Sequence, residues 1–171
     1  MDDVTPILVQ LESTRAALLA AAERIPENRW QKAPEPGAWS AGEIFAHLVM
    51  VESRVNGTAS RLVKSAPVPV PLWKRVHLPV SLSEWRGIKV KTPIPLDPSL
   101  ITEKQAACAK LDAVRQFTLQ LIEQNRERDL APYRFPHPFF GSLNMYDWFR
   151  MLGHHEARHT KQLREIAEKL R

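Results

Sequence analysis

Seven of the chain's 14 prolines, Pro67, Pro69, Pro71, Pro79, Pro93, Pro95 and Pro98, fall between residues 65 and 99. A proline inside a helix removes a backbone donor and drives its ring into the preceding turn, at a cost of roughly 3 kcal/mol. No long helix can cross this stretch. With Trp73, Val76, Leu78, Val80, Leu82 and Trp85 it is also too apolar for a free linker. The expectation is an ordered crossover packed outside the core, long enough to let the helices on either side run parallel.

Helical periodicity fills the rest of the chain in four segments. The first spans about residues 3 to 25, with Val4, Leu8, Leu11, Leu18 and Ala22 on one side and Pro26 ending it. Pro34, Pro36 and Gly37 make a non-helical connection. The second helix opens at Ser40, because Ser40 and Glu43 have the spacing of a capping box, and runs to about residue 64. The third runs from about Ser99, as its cap, to about residue 126, with Ile101, Cys108, Leu111, Val114, Thr118 and Leu121 inward. Pro132, Pro136 and Pro138 punctuate the next connection. The fourth begins between Gly141 and Asn144, where Asn144 and Asp147 suggest a cap, and continues nearly to residue 171. No alternating strand pattern and no internal repeat is evident. The fold expected is all-α, a four-helix bundle with one long proline-rich crossover between helices two and three, in a single domain over residues 1–171.

Composition narrows the function classes. At 44% hydrophobic and 25% charged residues, the chain reads as an ordinary soluble globular protein. Its single cysteine, Cys108, excludes an internal disulfide and reads as a small buried hydrophobe rather than a nucleophile. No signal-like segment opens the chain and no run approaches the ~20 apolar residues of a membrane span, so a cytoplasmic location is expected. The net charge is +5, but the basic residues are dispersed, with loose clusters at Lys74, Arg75, Arg86, Lys89 and Lys91 and in the last helix. No nucleic-acid motif accompanies them. A solvated surface is the default, and attraction of an anionic small molecule is the functional alternative.

The fourth helix departs from an ordinary core stripe. Trp148, Leu152, His155, His159, Leu163, Ile166 and Leu170 recur at steps of three and four, so two imidazoles stand where leucines belong. Residues four apart are displaced by roughly 6 Å along the axis and about 40° around it, so both rings can converge on one point. An exposed polar patch or a hydrogen-bonded core pair would have the same spacing. Burying each imidazole unsatisfied costs roughly 1–3 kcal/mol, however, and a metal satisfies both together. On helix two, His47 lies beside the apolar stripe of Ile44, Leu48, Val51 and Val55. A lone histidine there is usually a core residue, but with the pair it would complete a facial set of three, leaving room for water as a four-ligand structural site does not.

The remaining candidates rank lower. His155-Glu156-Ala157-Arg158-His159 also matches the H-E-x-x-H pattern of zincin proteases, with Glu156 as general base. A zincin needs a third ligand downstream, and with twelve residues after His159 and Glu165 and Glu168 on the same helix, a zincin-type metalloprotease ranks well below a bundle-type site. Glu156, about 100° around the helix from His155, should face solvent or a neighbouring helix. A four-residue step from His154 reaches Arg158, which places His154 behind the site or on the surface. His137, between two prolines, belongs to a loop over the bundle mouth, with loop packing the default and substrate contact the alternative. His77 reads as exposed or structural. Trp30, Trp39, Trp73, Trp85 and Trp148 should pack the core and crossover, with one or two lining a pocket.

Three segments, Trp39 to Leu48, His137 to Leu143 and His155 to Leu163, carry a family resemblance. Together with the chain length and the long crossover, they make the chain resemble the DinB-like superfamily of bacterial metal-binding four-helix bundles, which includes YfiT-like and thiol-dependent transferase proteins. The resemblance covers essentially the whole chain and implies His47, His155 and His159 as ligands to nickel, zinc or another divalent metal. It also implies a homodimer. Characterised relatives resemble S-transferases or isomerases that use thiols such as bacillithiol or mycothiol. The expected function is therefore a metal-dependent thiol S-transferase or hydrolase acting on a small molecule, with an anionic low-molecular-weight thiol as partner. A non-enzymatic metal-binding or stress-response accessory protein is the alternative.

Overall fold

A computed structural model describes residues 3–71, 78–84 and 95–170. Four helices dominate: α1 (Thr5–Glu23), α2 (Ala41–Leu62), α3 (Lys104–Gln124) and α4 (Met145–Lys169). Their starts follow local chemistry. Asp3 Oδ1 accepts from the Thr5 N–H at 2.9 Å at the head of α1. Ser40 and Glu43 form the expected reciprocal box, with the Glu43 N–H donating to Ser40 Oγ at 3.2 Å and the Ser40 N–H to Glu43 Oε2 at 2.8 Å. Asn144 Oδ1 accepts from the Asp147 N–H at 2.9 Å. Ser40→Ala should lower stability by about 1 kcal/mol, seen as a lower denaturant midpoint, because it orphans the part-buried Glu43 N–H at the start of α2. An unchanged midpoint would show that the box contributes nothing.

Two expectations need correcting. Ser99 does not cap α3: Asp97 Oδ1 accepts from its N–H at 2.9 Å and closes a 3-10 turn, Pro98–Leu100, after which the chain is extended until Lys104. There is also a small hairpin. Strands β1 (Arg134–His137) and β2 (Gly141–Asn144) pair antiparallel, Phe135 opposite Leu143 and His137 opposite Gly141. Gly141, at φ +79°, ends the turn in a conformation that favours glycine. Trp148 Nε1–H donates to the Phe135 carbonyl at 3.1 Å, and the two rings stack with centroids 4.3 Å apart, fixing the hairpin on α4.

The cross-helix pairs give the directions. Glu52 meets Arg115 and the Val63 carbonyl meets Arg128, so α2 and the chain through α3 advance together and are parallel, as the long crossover allows. Arg15 reaches the Leu111 carbonyl while Arg115 reaches that of Leu11, so α1 and α3 are antiparallel. In the crossover, the 3-10 turn Val80–Glu84 docks on α4: Val80 is buried, and Glu84 bonds His154 Nδ1 at 2.6 Å and Lys161 Nζ at 3.3 Å. Leu78 and Leu82 stay exposed. The expectations for Trp73, Lys74, Arg75, Val76, His77, Trp85, Arg86, Lys89 and Lys91 lie outside the described residues.

Two apolar clusters fill the bundle, one around Trp30, Phe45, Leu111 and Leu163, the other around Ile7, Leu11, Tyr146 and Phe149. Between them each helix contributes one buried charge: Arg15, Glu52, Arg115 and Glu156. Arg15 Nε donates to Glu156 Oε1 at 2.6 Å and Arg115 Nε to Glu52 Oε1 at 2.7 Å, and Arg115 Nη2 also reaches Glu156 Oε2 at 3.2 Å. Thr14 and Thr118 hydroxyls donate to the same carboxylates at 2.8 and 2.6 Å. Glu156 thus faces neighbouring helices, 1% exposed, and this fixes the rotation of α4.

Candidate metal centre

With Glu156 turned toward α1 and α3, the face of α4 that carries His155 and His159 turns toward His47 on α2. His155 Nε2 lies 3.1 Å from His47 Nε2 and 3.1 Å from His159 Nε2. The three ring centroids are 4.7–5.1 Å apart. The donor atoms of His47, His155 and His159 all lie within 4.8 Å of one another, and among the described residues no other histidine, cysteine or carboxylate joins them.

The triad is poorly served by its own protons. His159 Nδ1 faces Gln162 Oε1 at 3.1 Å; the amide oxygen accepts, so Nδ1 carries the proton and the Nε2 lone pair points inward. His155 Nε2 faces both other Nε2 atoms with either one N–H or one lone pair to offer. At least one of the two contacts therefore goes without a hydrogen bond, and a cation taking all three lone pairs would remove that mismatch. Bonds of about 2.0–2.1 Å to nitrogens 3.1 Å apart subtend roughly 100°, between octahedral and tetrahedral values, so the residues fit a divalent ion. His47 Nδ1 is buried without a hydrogen-bond partner among the described residues.

Burial sets the protonation state. It lowers His47 from the ordinary 6.5 to about 4, and burial first, then the neighbouring imidazoles, holds His155 and His159 well below their ordinary value. All three are neutral at neutral pH, as metal ligation requires. Because the folded values are depressed, the unfolded chain takes up protons first on acidification. Stability should therefore be full above pH 6.5 and drain as pH falls through that value toward about 4, in thermal melts recorded across the range. Stability that rises on acidification would contradict this.

The triad forms the floor of a cavity of about 640 Å³. Trp39 packs on His47, with centroids 5.0 Å apart, and lies parallel to His159 at 6.4 Å. Val51, Val55, Met151 and Trp148 line the helical walls, and the hairpin supplies Phe135, Phe139 and Phe140. His137, expected in a loop, sits at the end of β1 and lines the same space. His154 bonds Glu84 outside the triad. Glu156 does not line the cavity and both its oxygens are engaged, so it cannot act as a zincin base. Cys108 is half-buried away from the triad, and burial raises its thiol. The sequence reading did not find Gln162, Arg54 or the hairpin wall; only the matching of Gln162 three residues after His159 could have signalled the first.

A family model for the DinB superfamily matches residues 10–163. The chain belongs to the DinB superfamily. That superfamily is metal-binding in general, in keeping with the three clustered histidines. A DinB-superfamily assignment also agrees with two individual likenesses. YuaE, an uncharacterized protein of Bacillus subtilis (strain 168), is 29% identical over 148 residues, covering 85% of this chain and 88% of that protein. The crystal structure of TT2238, described as a four-helix bundle protein, superposes with a TM-score of 0.64 at 25% identity, covering 94% of this chain and 97% of that one. Among the described residues, no helix of this DinB-superfamily chain is long and apolar enough to cross a membrane.

Proposed function

We propose that the chain is a divalent-metal-dependent enzyme that delivers a thiol or water nucleophile to an electrophile held in the cavity. The observation that carries this reading is the convergence of three neutral Nε2 atoms on the floor of a cavity with no fourth protein ligand among the described residues. A divalent ion, nickel or zinc by resemblance, would lower the pKa of a thiol or water coordinated there and so supply the nucleophile at neutral pH.

The chain's own residues do the rest. Burial keeps the three imidazoles unprotonated, Gln162 holds the His159 tautomer, and Trp39 packs the rings in place. The apolar walls exclude bulk water from the reacting atoms. Arg54 and Arg158 line the cavity and favour an anionic thiol. In transfer, sulfur bonds the electrophilic carbon, the leaving group departs with its electron pair, and the thiol proton passes to solvent.

The test is conjugation of monobromobimane with bacillithiol, mycothiol and glutathione, alongside hydrolysis of an activated ester, by zinc- and nickel-loaded protein. One of these reactions should depend on metal and disappear in His155→Ala. If the protein holds stoichiometric metal yet accelerates none of them, the metal serves a non-enzymatic accessory role instead.

A further inference from the structure

The cavity contains a fourth imidazole whose hydrogen bonding is one-sided. His137 Nδ1 accepts from the backbone N–H groups of Phe139 at 3.1 Å and Phe140 at 3.3 Å, inside the hairpin turn. A nitrogen that accepts carries no proton, so the neutral ring must carry it on Nε2. No acceptor for that Nε2–H lies among the described residues. The ring is held by its neighbours, with centroids 4.8 Å from Phe140 and 5.1 Å from Trp148. Burial lowers its pKa to about 4, so it remains a neutral donor at neutral pH. It lines the same cavity as His47, His155 and His159.

The other groups around it select by sign. The lining combines aromatic and branched side chains with two guanidinium groups, Arg54 and Arg158, and among the described residues it has no carboxylate. A cationic ligand would meet like charge and find no counterion. A ligand with an oxygen acceptor would find the His137 Nε2–H already in place, its ring held by the turn and its aromatic neighbours.

We propose that His137 Nε2–H is a preset oxygen-recognition donor and that the cavity takes a small apolar molecule, aromatic or branched, ending in a carbonyl or carboxylate oxygen. This rests on the reading of the cavity as the substrate site, not on the choice of nucleophile. An electrophile of this class would accept the His137 hydrogen bond at the oxygen where negative charge develops during attack.

The probe is benzoate, with benzylamine as its cationic counterpart, titrated into zinc-treated full-length protein carrying 15N-histidine. Long-range 1H–15N spectra should show His137 as the Nε2–H tautomer, and benzoate should move that resonance downfield. Benzylamine should leave it in place. By calorimetry, His137→Phe should weaken benzoate about tenfold at unchanged zinc content, while His137→Gln, which keeps a donor, should stay within about threefold. An Nδ1–H tautomer, benzoate binding without movement of the Nε2–H signal, or benzylamine binding as tightly as benzoate would overturn the proposal, and the first two are read on the unaltered chain. Benzoate that titrates His137 in protein retaining no zinc would support this inference while overturning the metal reading.

Discussion

Arg115→Ala is expected to destabilise the bundle by about 3–5 kcal/mol, read as a lower denaturant midpoint with the slope unchanged. Arg115 is 3% exposed, and its guanidinium donates to Glu52, to Glu156 and, through Nη1, to the Leu11 carbonyl at 2.6 Å. Burial opposes its charge, yet hydrogen bonds and attraction from Glu52 and Glu156 outweigh that and raise its pKa. Without it, two buried carboxylates share Arg15 alone, and the Leu11 carbonyl loses its Arg115 donor. Against a typical total stability of roughly 5–15 kcal/mol, that loss leaves a large unfolded fraction in the less stable part of the range. A change below about 1 kcal/mol would show that the layer is wet or loosely held.

His155→Ala should act in the opposite way, on binding rather than on folding. Its Nε2 is the atom shared by both short contacts of the triad, so its removal leaves two ligands and should lower zinc affinity by more than about 100-fold. Gln162→Ala, which only frees the His159 ring to turn, should cost about 10–100-fold, the range for an outer hydrogen-bond partner. His154→Ala should leave affinity nearly unchanged, since His154 bonds Glu84. Competition against a chromophoric chelator measures all three. In metal-free protein, His155→Ala should unfold no more easily than the parent, because it removes a ring whose two close contacts cannot both be hydrogen bonds. Equal zinc affinity for His155→Ala and His154→Ala would dissolve the proposed ligand set.

The helices were legible because their signals are local. Ser40 with Glu43 and Asn144 with Asp147 satisfy backbone donors within one turn, and the proline-rich stretch excludes helix by sterics alone. The triad was legible because His155 and His159 interrupt an otherwise apolar stripe. What escaped depends on partners far away in sequence. Arg15 and Arg115 look like surface charges in isolation; only the buried Glu52 and Glu156, from other helices, make them interior residues. Glu156 was left between solvent and a neighbouring helix for the same reason. The hairpin escaped because each strand has four residues and prolines at 136 and 138 hide the alternation, while Trp148 on α4 supplies the stacking that holds it. Ser99 misled because Asp97 satisfies its N–H before a helix can start.

The most direct measurement is anomalous X-ray diffraction at the zinc edge from crystals of the full chain loaded with zinc. One anomalous peak should lie about 2.0–2.1 Å from the Nε2 atoms of His47, His155 and His159, with at least one further ligand that is not protein. Imidazoles that diverge, a peak elsewhere in the bundle, or a fourth protein ligand closing the coordination sphere would contradict the open three-histidine site.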